Sequence, residues 1–66
     1  MFEIGKRAIV RDEAWARFCA ANGRSVLPGP RPQYVLDLSR SEPPKVMLEF
    51  PLHWWSEDEL EEVDPG

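Results

Sequence analysis

The chain carries one histidine, His53, and one cysteine, Cys19, and these two residues bound the chemistry it can do. Acid–base relay at a histidine needs a partner that orients the ring, and a thiol acts as a nucleophile only with an activating group beside it. No spacing in the sequence ties Cys19 to His53 or to a carboxylate pair. Instead Trp15, Phe18 and Cys19 stand at i, i+3 and i+4, which puts the thiol on the apolar face of a helix as a small core filler. We read no catalytic residue and no enzyme activity.

Metal chemistry fares little better. His53 and Glu57 share a face only if a helix starts one turn ahead of Ser56. Zinc takes several nitrogen or sulfur ligands, and the chain offers one of each kind. A calcium loop needs alternating oxygen donors around a glycine turn, which Glu57, Asp58 and Glu59 do not provide. Gly5, Gly23, Gly29 and Gly66 are isolated from one another, so there is no glycine-rich cradle for phosphate. The sequence implies no metal and no cofactor.

Binding chemistry is better represented. Trp54 and Trp55 are adjacent, and in an extended segment adjacent side chains point to opposite faces, so a one-sided core takes only one of them. The other tryptophan, flanked by acids, has the composition of a protein-binding hot spot with an acidic rim. The candidate binding residues are Tyr34, Trp54, Trp55, Glu57, Asp58, Glu61 and Glu62, and the expected occupant is a protein partner or a second copy of the chain in a homodimer. The structural alternative is that Trp55 packs on Leu60 as a hydrophobic staple.

Charge is unevenly divided. Residues 1–34 hold Lys6, Arg7, Arg11, Arg17, Arg24 and Arg31 against three acids, a balance of +3, whereas residues 35–66 hold Arg40 and Lys45 against nine acids, a balance of −7. The acids first of all keep the C-terminal half solvated, and asymmetry of this kind also serves to steer association with a charged partner or a second copy. A competing reading is a single-stranded nucleic-acid binder that uses the basic N-terminal half beside Tyr34. The net charge of −4 and pI near 4.8 argue against it, because such domains are ordinarily basic.

The elements that must position these residues follow from pattern. Residues 2–10 mix β-branched and aromatic side chains around Gly5 and predict a strand bulged at the glycine. Residues 12–22 predict a helix with Asp12 as N-cap and Asn22 with Gly23 as the stop. Residues 24–27 suit a short strand before Pro28, Pro30 and Pro32, whose missing amide donors make residues 28–32 a loop. Residues 33–38 alternate, with Tyr34, Leu36 and Leu38 on one face and Val35 and Asp37 on the other. Residues 45–50 alternate again, with Val46, Leu48 and Phe50 inward, and the two runs predict an antiparallel hairpin. In the closing stretch, residues 51–64, Ser56 and Glu59 form a capping box that starts a helical turn, whose N-terminal dipole end suits Glu57, Asp58 and Glu59.

A first strand containing Phe2, Gly5, Lys6 and Val10, a middle hairpin from Tyr34 to Leu38 and Val46 to Phe50, and a closing segment from Ser56 to Val63 is similar to the SH3-like small barrels. The resemblance implies a mainly β domain with short helices (α+β): a small antiparallel barrel with a helix after strand 1 and a C-terminal helical turn. The acidic, tyrosine-bearing opening motif and the closing proline-asparagine-tyrosine motif of peptide-binding SH3 domains are absent, so recognition of proline-rich peptides does not carry over. Sixty-six residues make one small domain, 1–66, that buries only about 60% of the surface its unfolded chain exposes. With a single cysteine, no intramolecular disulfide can staple it. No apolar run has signal-peptide or membrane-span length, and a cytoplasmic location is expected.

Overall fold

Helix α1 (Asp12–Ala21) forms where the good helix formers cluster and stops where its C-terminal residues require. Asn22 is the C-cap, with its Nδ2 donating to the Phe18 carbonyl at 2.8 Å. Gly23 takes φ +63°, the left-handed geometry that costs glycine least, and the Arg24 amide then reaches back to the Cys19 carbonyl at 2.9 Å. The N-cap is Arg11, not Asp12. Arg11 is still extended, because its amide donates to the Glu59 carbonyl at 2.9 Å and so completes a strand ladder before the helix turns.

The computed structural model describes residues 2–63; Asp64 of the acidic closing stretch lies outside them. In chain order, β1 (Arg7–Val10) precedes α1, followed by β2 (Gln33–Tyr34), β3 (Asp37–Ser39), β4 (Lys45–Leu48), β5 (His53–Ser56), a 3₁₀ turn (Glu57–Glu59) and β6 (Leu60–Glu62). The architecture is α+β: two antiparallel three-stranded sheets, ordered β2-β1-β6 and β3-β4-β5, with one helix. The strands form two separate sheets and not a closed barrel.

Several expectations are corrected by this pairing. The opening strand is only Arg7–Val10, because Gly5 at φ +89° sits in a turn closed by the Lys6 amide on the Glu3 carbonyl at 3.1 Å. Residues 33–38 are not one strand. β2 pairs with β1, the Val35 amide donates to the Lys6 carbonyl at 2.8 Å, and the Leu36 amide then donates to the Met47 carbonyl at 2.9 Å, so the chain changes sheets at Val35. That change breaks the alternation: Val35 is buried, while Tyr34, Leu36 and Leu38 are exposed. Phe50, expected inward, is 69% exposed because β4 ends at Leu48. Residues 24–27 form no strand; the Val26 carbonyl instead accepts from Trp15 Nε1 at 3.0 Å.

The capping box at Ser56 is present, with the Ser56 amide donating to Glu59 Oε1 at 2.9 Å, but the turn it starts lasts only three residues. Leu60 returns to extended geometry and pairs with Val10, adding a strand, β6, that the acid-rich sequence had not predicted. The core gathers Ala8, Val10, Ala14, Val35, Val46, Leu48, Trp55 and Leu60, with Phe2, Trp15 and Phe18 packed against it. Phe18 lies 5.1 Å from Trp55 and 5.0 Å from His53 between ring centroids, which seats α1 on the inner face of the second sheet. Cys19 is fully buried, as a core filler should be.

Candidate functional site

The β5 strand separates the tryptophan pair. Trp55 faces inward with Val46 and is 1% exposed; Trp54 faces outward with Met47 and is 39% exposed. The register across β3, β4 and β5 places Asp37, Met47 and Trp54 in one outward row and Ser39, Lys45 and Ser56 in the next. Lys45 Nζ donates to Ser56 Oγ at 3.0 Å within that second row. The face therefore presents one large ring with a half-buried methionine beside it and polar groups along its margin.

The acids of the candidate surface do not all share a fate. Glu57 and Asp58 are exposed on the 3₁₀ turn that follows β5, and their carboxylates make no hydrogen bond or ion pair among the described residues. Glu61 is instead spent on Arg11, whose Nη1 donates to its Oε1 at 2.6 Å while Arg11 Nε donates to the Asp58 carbonyl at 3.1 Å. Glu62 is half-buried opposite Ala8. Tyr34 is exposed but belongs to the other sheet, across from Arg7. Of the seven candidates, Trp54, Glu57 and Asp58 remain together as an open surface along β5 and its following turn, and Trp55 belongs to the core.

The basic half does not stand apart from the acidic half. Arg11 is held by Glu61, Arg17 lies 3.7 Å from Glu59, and the Arg24 guanidinium sits 5.8 Å from the Phe18 ring centroid. His53 packs edge-on against Trp55 at 4.7 Å and against Phe18, so its ring neighbours are aromatic and supply no orienting carboxylate. Among the described residues, no group of three or more His, Cys, Asp or Glu side chains converges to hold a metal. No helix among them is long and apolar enough to cross a membrane.

A groove of about 630 Å³ was not anticipated from the sequence. The proline loop forms one wall with Leu27, Pro28 and Pro30, Phe50 and Pro51 form the other, and Trp15, Arg24 and Arg31 complete it. Its two walls are tied together: Gln33 Nε2 donates to the Phe50 carbonyl at 2.7 Å and the Phe50 amide donates to Gln33 Oε1 at 2.6 Å. The proline spacing in residues 28–32 signals a loop, but the bonds that hold it in place, Gln33 to the β4–β5 turn and Trp15 Nε1 to the Val26 carbonyl, are not visible in that spacing.

No family model, no curated protein and no solved structure matches the chain.

Proposed function

We propose that this chain is a non-catalytic interaction module of the cytoplasm, binding a protein partner or a second copy of itself through Trp54, with Glu57 and Asp58 as its acidic rim. The observation that carries the reading is the 39% exposure of Trp54 on the outer face of a sheet whose core already has its tryptophan in Trp55. A tryptophan half out of water costs solvation that a contact recovers, and such rings dominate binding energy where they are surrounded by polar residues that exclude water. Two carboxylates without partners add selectivity for a cationic counterpart.

The fold reading that accompanies it is an open, two-sheet relative of the SH3-like small barrels carrying α1 in its first connection. Residues 33–39 run end to end through both sheets, and a 3₁₀ turn joins β5 to β6; both features support that reading. The function is tested by native co-purification with tagged wild type, Trp54→Ala and a Glu57→Lys/Asp58→Lys variant. Folded variants are expected to lose the proteins retained by wild type. Retention of the same proteins by both variants would overturn the reading.

A further inference from the structure

Strand β5 is the edge of its sheet, and one side of its backbone has no strand beside it. The Ser56 amide donates to Glu59 Oε1 at 2.9 Å and so turns away from β4, which makes Lys45 and Ser56 a non-hydrogen-bonded pair. Hydrogen-bonded and non-hydrogen-bonded pairs alternate along an antiparallel ladder. Val46 with Trp55 is then hydrogen-bonded, and Met47 with Trp54 is not. The amide and carbonyl of Trp54 consequently point outward from the sheet edge. An edge that offers an N–H and a C=O in this way is a template for another strand.

The two ends of β5 have complementary chemistry. After it come Glu57 and Asp58, exposed and without side-chain partners. Before it come Phe50 and Pro51, which line the groove with Arg24 and Arg31. If a second β5 lies antiparallel with Trp54 opposite Trp54, each residue after the tryptophan meets the residue equally far before it in the other copy. Beyond Ser56 the chain leaves the ladder in the 3₁₀ turn, and this turn with Glu57 and Asp58 faces the second copy's β4–β5 turn, where Phe50 and Pro51 line the groove. Two carboxylates arrive at a groove edged by two guanidiniums, and the two-fold axis makes the same contact twice.

We propose that the chain forms a two-fold homodimer by antiparallel pairing of β5 with β5, centred on Trp54, in which Glu57 and Asp58 of each copy dock at the Arg24 and Arg31 groove of the other. This deepens, and rests on, the reading of Trp54 as a protein contact. Trp54 donates to and accepts from its counterpart across the axis, and the two exposed indoles cover each other. The interface draws on Arg24 and Arg31 of the basic half and on Glu57 and Asp58 of the acidic half.

The test is sedimentation of wild type, Arg31→Glu, Asp58→Arg and an equimolar mixture of the two variants, with circular dichroism as the check on folding. Wild type is expected to shift from its 7.6 kDa monomer toward twice that mass between micromolar and millimolar concentration. Each variant alone places like charges at both contacts and is expected to weaken the dimer about tenfold or more. The mixture restores opposite charges at both contacts and is expected to recover dimerisation. A wild type that stays monomeric at millimolar concentration would overturn the dimer, as would a mixture that associates no better than its components. A monomer whose Trp54→Ala variant still loses a different protein in co-purification would sink the dimer alone and leave the broader interaction reading standing.

Discussion

Trp54 and Trp55 are consecutive in β5 yet face opposite ways, Trp55 into the core against Phe18 and Trp54 out beside Met47. Identical side chains one residue apart are thus given different work by the period of the strand. Truncating them separates stability from binding. Trp55→Ala removes the largest fully buried side chain and is expected to cost about 3–5 kcal/mol, against a total stability on the order of 5 kcal/mol for a chain this short. Trp54→Ala is expected to cost less than about 1 kcal/mol. Urea unfolding of the two variants measures both, and equal losses would show that the rings share one core.

Gln33 holds Phe50 through two side-chain hydrogen bonds and so fixes the second wall of the groove. Each bond contributes about 0.5–1.5 kcal/mol. Gln33→Ala is expected to loosen the β4–β5 turn by up to about that range per bond and to speed hydrogen exchange at the Phe50 amide by a larger factor than at Val46 in the central strand. Unchanged exchange at Phe50 would mean that the turn is held by other contacts.

Glu59 accepts from the Ser56 amide and faces Arg17 across 3.7 Å. The hydrogen bond is the stronger reason for the residue, because the ion pair is long and Arg17 is mostly exposed. Glu59→Ala is expected to lose about 0.5–2 kcal/mol, the usual range for a removed cap. Glu59→Gln keeps an acceptor and should lose clearly less. If thermal unfolding shows equal losses for the two, charge rather than capping is what Glu59 supplies.

Arg11 joins the start of α1 to the closing segment through the Asp58 carbonyl and Glu61. Both partners of the ion pair are about half exposed, so a double-mutant cycle of Arg11→Ala and Glu61→Ala should return only about 0.2–1 kcal/mol. That coupling should shrink as salt is raised. A coupling well above this range that resists salt would indicate a desolvated pair.

The elements legible in the sequence are those with a local cause. The helix is marked by its formers and by Asn22 and Gly23, β4 by the alternation of Val46 and Leu48, and the 3₁₀ turn by Ser56 and Glu59. What the pattern concealed depends on long-range pairing. Residues 33–39 alternate cleanly, but Val35 is shared between Lys6 on one side and the approach to β4 on the other, so the buried face changes partway along. β6 is hidden among acids because its pairing with β1 requires only Leu60 to be apolar and buried. For the candidate site, adjacency alone divided Trp54 from Trp55. It could not foresee that Arg11 takes Glu61, that Tyr34 lies in the other sheet, or that Gln33 builds a groove wall from Phe50.

The most direct measurement replaces Trp54 with a photo-crosslinking phenylalanine analogue in the living cell, alongside the same replacement at Ala20, which is exposed on α1. A light-dependent protein adduct is expected from position 54 and none from position 20, with an adduct of twice the chain mass if the second copy is the occupant. No adduct at position 54, or equal yields at both positions, would contradict the claim that Trp54 marks a protein contact.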